Sequence, residues 1–169
     1  MKKGFTLIEI TIVIVIVSIL LTVTMQFGSK RIDDLGYQTG KEQFIIAYEK
    51  LYSQAMTSNY HEGARYDILH ITLSSGENTL SYAYDSDDYQ KINISAPVVI
   101  SGLQADGNII NDVNLDLQPY TLGCGIVSND GDEIHTGSMV SFGLIVKSQK
   151  QYCFSIKNDT CKLIEQKCE

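Results

Sequence analysis

A chain of 169 residues, 44% hydrophobic and 20% charged, has the composition of about one folded domain, which excludes a disordered tail as the main object. A formal net charge of -7 excludes nucleic acid as the default partner, because phosphate repels an acidic surface. The charge is uneven. From Lys147 onward five lysines (Lys147, Lys150, Lys157, Lys162, Lys167) stand against Asp159, Glu165 and Glu169, so the acid lies upstream.

The N-terminal segment comes first. Residues Ile10 to Ser29 carry no charged side chain, and the stretch Phe5 to Phe27 is interrupted only by Glu9 and by Thr, Ser and Gln. As a helix it would span roughly 34 Å at about 1.5 Å per residue, enough for a bilayer core of about 30 Å. A secretory signal peptide has a shorter apolar region followed by a small-x-small cleavage site; Thr22-Val23-Thr24-Met25 offers none. A plain signal anchor explains the hydrophobicity but not Glu9. A carboxylate in an apolar helix is expensive and is normally functional or paired.

The run Met1-Lys2-Lys3-Gly4-Phe5-Thr6-Leu7-Ile8-Glu9-Ile10 resembles the class III signal of type IV prepilins and pseudopilins. That pattern is a short basic leader ending in Gly, then Phe-Thr-Leu-Ile-Glu, then an apolar helix. The resemblance is specific because Gly, Phe and Glu must all fall in register ahead of the apolar run. It implies cleavage between Gly4 and Phe5 by the prepilin peptidase and N-methylation of the new Phe5 amine. It also implies that the Glu9 carboxylate pairs with the Phe5 ammonium of a neighbouring subunit. The physics agrees, since an unpaired charge in an apolar filament core costs more than a paired one. Gly4, with no side chain, can enter a protease cleft extended. Lys2 and Lys3 hold the leader in the cytoplasm; Lys30 and Arg31 lie beyond the apolar run, so the orientation also leans on the resemblance. The implied organisation is a leader (1–4), a transmembrane and filament-core helix (5–29), and an extracytoplasmic head (30–169), helical to about residue 58 and β-rich beyond. The implied partners are other pilin or pseudopilin subunits, the prepilin peptidase, the assembly platform and the inner membrane, crossed once; no cofactor is implied.

Beyond the apolar run, Gly28, Gly36 and Gly40 each weaken a helix by about 1 kcal/mol relative to Ala. The family usually places a Pro in the first half of this helix. None stands here, which predicts a straight or glycine-softened helix. Phe44, Ala47, Tyr48, Leu51, Ala55 and Met56 recur at three- and four-residue steps, with Glu42, Glu49, Lys50 and Gln54 off the stripe. This predicts an amphipathic helix with its Tyr-bearing stripe on a core, ending near Ser58-Asn59, ahead of Gly63.

The period then changes to two. Leu69, Ile71 and Leu73 alternate with His70 and Thr72, residues 74–78 make a turn, and Leu80, Tyr82 and Tyr84 alternate again, which predicts a hairpin. Ile92 and Ile94, then Val98 to Leu103, read as strands, with Pro97 at a strand start or edge. Asp106-Gly107-Asn108 and Asn129-Asp130-Gly131-Asp132 read as turns. Met139 to Val146 and Gln151 to Ile156 read as strands joined by a link at Lys147 to Lys150. Lys157-Asn158-Asp159 turns into a last strand, Thr160 to Glu165. The expected fold is α+β: a long N-terminal helix, membrane half plus amphipathic half, packed on an antiparallel β-sheet head. This helix-then-strands layout resembles the H-type minor pseudopilins of type II secretion and related minor pilins. It implies a structural subunit, with a DNA-uptake or adhesive minor pilin, contacting phosphates through its Lys-rich C-terminal end, as the alternative.

Signs of catalysis are sparse. The chain has no nucleophile elbow, phosphate loop or His-Glu-x-x-His, which reads against an enzyme. His61, His70 and His135 are scattered, and His70 reads as solvent-facing or hydrogen-bonded. Asp85, Asp87 and Asp88, and Asp130, Asp132 and Glu133, are acidic clusters of the kind calcium favours, but neither fits a defined calcium loop, and both read as solvated turns. Asn93-Ile94-Ser95 and Asn158-Asp159-Thr160 match the glycosylation sequon.

The four cysteines are Cys124, Cys153, Cys161 and Cys168. Outside the cytoplasm they would oxidise, and with no Cys-x-x-Cys pair a metal site is disfavoured. A hairpin centred near Lys157 would set Cys153 opposite Cys161, leaving Cys124 for Cys168. That is the expected pairing, and one residue of slip would undo it.

Overall fold

The computed structural model describes residues 7–85, 88–94, 98–130, 133–146 and 150–168. One helix, α1, runs Leu7–Thr57. The chain forms two compact units, Met1–Gly36 and Tyr37–Glu169. Gly28, Gly36 and Gly40 all lie inside α1, where a glycine's cost of about 1 kcal/mol is too small to end a helix.

In the second unit, residues 37–57 of α1 bury one face: Tyr37, Gly40, Phe44, Ala47, Tyr48, Leu51 and Ala55. The steps of three and four are those expected from the sequence, with Met56 half-buried at the margin. The helix ends where Ser58 N–H bonds Gln54 O at 2.9 Å and Tyr120 N–H bonds Ala55 O at 3.0 Å. The second bond comes from a distant loop in which Tyr120 adopts φ 62°. It satisfies a carbonyl that the helix itself leaves open.

Among the described residues thirteen strands follow. A short ribbon pairs β1 (Tyr60–His61) with β2 (Ala64–Arg65). A six-stranded antiparallel sheet contains β3 (Leu69–Ser74), β4 (Thr79–Tyr84), β5 (Gln90–Asn93), β8 (Asp112–Leu117), β9 (Cys124–Asp130) and β10 (Glu133–Gly137). A five-stranded antiparallel sheet contains β6 (Val98–Ala105), β7 (Asn108–Ile109), β11 (Met139–Val146), β12 (Lys150–Lys157) and β13 (Leu163–Gln166). Their spatial orders are β10-β9-β8-β3-β4-β5 and β13-β12-β11-β6-β7. The fold is α+β.

The β3–β4 hairpin, β5, β6, β11 and β12 stand where the alternation put them, and Asp106 and Gly107 turn β6 into β7. Pro97 and residues 147–149 lie outside the described residues. Two readings are corrected. Asn129 and Asp130 belong to β9, with Asp130 opposite Glu133 of β10. The last strand starts at Leu163 and not at Thr160, because Cys161 takes φ 51° and its N–H bonds Lys157 O at 2.8 Å. Residues 158–162 are thereby held in a turn.

The core joins the helix to both sheets. Phe44 of α1 meets Phe142 of β11 and Phe154 of β12, with centroids 5.4 and 6.1 Å away, a range in which aromatic pairs attract beyond their burial. Leu69, Ile71, Leu73, Leu115, Leu117 and Ile126 of the six-stranded sheet are fully buried, each contributing about 1.5–3 kcal/mol. Polar tips of the helix then fix its register. Tyr37 donates to Leu144 O at 3.1 Å, Tyr48 to Cys161 O at 2.7 Å and Tyr52 to Thr160 O at 3.1 Å. Lys41 bonds both oxygens of Glu165 at 2.7 Å. The Asp106 carboxylate accepts the Ser138 N–H and O–H and the Met139 N–H. Those bonds, Ser138's backbone first, hold its carboxyl below the ordinary range.

Burial raises the Tyr48 phenol well above its ordinary value, with Tyr52 adding to it. Burial pushes Tyr37 and Tyr84 up to about 12, helped by Tyr152 and Tyr82 respectively. A phenol whose folded value is raised contributes stability that is complete below its unfolded value of 10.0 and is lost as pH rises toward the folded one. Urea unfolding should therefore show stability falling above about pH 10. Tyr48→Phe should lower stability at neutral pH by about 1–3 kcal/mol, by orphaning the Cys161 carbonyl, and should make the alkaline decline shallower.

Candidate functional site

In the first unit, Leu7–Met25 forms 19 residues of helix with mean hydropathy 2.7, none of them buried. At 1.5 Å per residue the segment is about 28 Å long, close to a bilayer core of about 30 Å. Its hydroxyls turn inward on their own backbone: Thr11 to Leu7 O, Ser18 to Ile14 O, Thr22 to Ser18 O and Thr24 to Leu20 O, at 2.8 to 2.9 Å. An apolar surrounding therefore meets no unpaired hydroxyl there, a requirement that lipid imposes strictly. Glu9 is the one ionisable residue in the segment. It sits exposed in the first turn of α1, where the positive end of the helix dipole favours a carboxylate. Gly4 and Phe5 lie outside the described residues.

In the second unit the cysteines form two bridges, Cys124–Cys161 and Cys153–Cys168, with Cα atoms 5.7 and 5.2 Å apart. The expected pairing, Cys153 with Cys161 and Cys124 with Cys168, is overturned by register. The β12–β13 hairpin is centred beyond Asp159, so Cys153 lies opposite Gln166, and Cys168 follows two residues later on the same face. Cys161 is left in the turn, fully buried. There the Cys124 N–H bonds Asn158 O at 2.9 Å and brings Cys124 alongside. Gly123 permits this approach, since a Cβ there would stand 2.8 Å from Asn158 O. On the chain-entropy estimate the bridges contribute about 4 and 3 kcal/mol, for separations of 37 and 15 residues.

The other candidates take structural places. His70 Nδ1 lies 2.6 Å from Asp116 Oδ1 across β3 and β8, the hydrogen-bonded environment expected from its alternation. His61 stacks on Tyr84 with centroids 4.0 Å apart. Asp85, at φ 49°, accepts the N–H groups of Asp67 and Ile68. Its cluster mate Asp87, and Asp132 of the second cluster, lie outside the described residues. Among the described residues no three His, Cys, Asp or Glu side chains gather as a metal site would need.

The family described as the prokaryotic N-terminal methylation motif matches residues 1–25. The chain carries the class III signal of type IV pilins and pseudopilins. Motif and apolar helix together fit a membrane-anchored pilin. They point to a structural subunit and not to an enzyme. The motif implies assembly with other pilin subunits and processing by prepilin peptidase. No curated protein and no solved structure matches the chain.

The disulfide partners and the Lys41–Glu165 pair were beyond sequence reasoning, which identified the four cysteines but not the turn that sorts them. If the apolar segment is what holds this chain in a membrane, charge at its centre should release it. Replacing Ile14 and Val15 by Asp and Lys should cost about 5–7 kcal/mol of insertion. Carbonate extraction of the double variant should then find the chain in the soluble fraction.

Proposed function

We propose that this chain is a structural subunit, of the minor kind, of a type IV pilus or type II secretion pseudopilus. The observation that carries the reading is the methylation motif at residues 1–25, leading into a helix that nothing in its own chain covers. An apolar cylinder of that length requires lipid before assembly and other helices after it. In this reading the chain crosses the inner membrane once, with Lys2 and Lys3 in the cytoplasm. Prepilin peptidase cuts between Gly4 and Phe5 and the Phe5 amine is methylated. An assembly platform then lifts the subunit into the filament. Glu9 pairs with the Phe5 ammonium of a neighbour, so one carboxylate sets the register between subunits. Two disulfides in the β-rich unit support an oxidising compartment outside that membrane. The helix-then-strands layout supports the minor role.

Two substitutions test it. Gly4→Val in a host carrying the peptidase should leave the mass of the full-length precursor, while the parent protein starts at methylated Phe5. A parent protein that keeps Met1 would refute processing. Glu9→Ala makes the helix more apolar, so membrane residence should persist while incorporation into filaments drops about tenfold or more. Parent-level incorporation of that variant would refute the pairing.

A further inference from the structure

The two disulfides differ in what surrounds their sulfurs. Cys161 has no exposed surface, and its carbonyl holds the buried Tyr48 hydroxyl. Cys124 borders a surface cleft, but a thiolate attacking there would expel the Cys161 sulfur as an anion inside the core, which desolvation opposes. Cys168 is exposed. With Cys153 it lines a cleft of about 500 Å³ on the outer face of the five-stranded sheet, walled by polar side chains including Ser141, Gln151, Gln166 and Lys167. Cys153 is largely buried but lines this cleft and lies outside the hydrophobic core cluster, so attack on the Cys168 sulfur expels it toward polar walls rather than into the core.

The strand held by this bridge is lightly secured. β13 is an edge strand of four residues, three of them exposed. Its ladder to β12 has four pairs, from Cys153–Gln166 to Ile156–Leu163. Beyond the ladder, Leu163 packs against the core at its start and Lys41 pairs with Glu165, whose carboxylate is about half exposed, and partly exposed pairs hold weakly.

We propose that Cys153–Cys168 is a thiol-exchange site, opened by a dithiol entering this cleft, and that its opening frees β13 while Cys124–Cys161 stays closed. One thiolate of the dithiol bonds the Cys168 sulfur as the Cys153 sulfur leaves with the electron pair and takes a proton. The second thiolate then closes on the first, releasing Cys168 as a thiol. The chain gains two electrons and two protons, and the dithiol becomes a disulfide. Release of β13 leaves the outer edge of β12 with unpaired backbone groups, the arrangement by which an extended strand can add to a sheet.

Graded dithiothreitol treatment of the 169-residue chain in detergent micelles, alkylation and peptide mapping test the order of opening. Cys153 and Cys168 should become labelled together, at least about tenfold faster than Cys124 and Cys161. Amide exchange in the two-thiol form should quicken at residues 153–156 and 163–166 by about tenfold or more and stay unchanged in β3 and β8. Cys168→Ser should retain Cys124–Cys161 and show the same exchange pattern without reductant. Simultaneous opening of both bridges, earlier opening of Cys124–Cys161, unchanged exchange in β13, or loss of Cys124–Cys161 in Cys168→Ser would each overturn the proposal.

Discussion

One helix must satisfy two solvents, and the rest of the chain is arranged around that demand. Residues 7–25 are apolar on every side, with no cover from their own chain. Residues 37–57 are apolar on one face only, and that face is filled by both sheets. The first stretch is suited to lipid or to a bundle of identical helices, because its backbone and hydroxyls are satisfied internally. The second is suited to water on one side, with Glu42, Glu49 and Lys50 exposed. The filament role proposed above would draw on both halves of this one element.

The β-rich unit is built to grip that second half. Aromatic packing by Phe44, Phe142 and Phe154 is non-directional enough to tolerate rotation, whereas hydrogen bonds from Tyr37, Tyr48 and Tyr52 to fixed carbonyls are not. The turn at residues 158–162 is central to this. It supplies the carbonyls for Tyr48 and Tyr52, the acceptor for the Cys124 N–H and one sulfur of the inner disulfide. The helix, the six-stranded sheet and the five-stranded sheet therefore meet at one short loop.

Much of this was legible from residue order. The stripe from Phe44 to Ala55 and the hairpin from Leu69 to Tyr84 follow from period, and the N-terminal motif is legible from the order of its residues. The strand at Asp112–Leu117 also alternates, with Val113, Leu115 and Leu117 buried, but Asn114 and Asp116 are poor strand formers and concealed it. In the folded unit they find cross-strand partners in Thr72 and His70, which local propensity cannot reveal. The disulfide pairing depended on a non-glycine residue, Cys161, adopting positive φ. That conformation is set by the core around it and has no signature in composition.

The grip on the helix comes from the far end of the chain. Tyr37 reaches a carbonyl 107 residues away, Tyr48 one 113 away, and Lys41 a carboxylate 124 away. During synthesis the amphipathic helix leaves the ribosome long before the residues that hold it exist. Contacts of such sequence separation form late, since loop closure must precede any gain from them. A nascent chain halted before residue 161 carries a Tyr-rich apolar stripe with no carbonyl to receive Tyr48. Products cut short of residue 161 therefore leave the Tyr48 hydroxyl without the carbonyl that receives it in the folded unit.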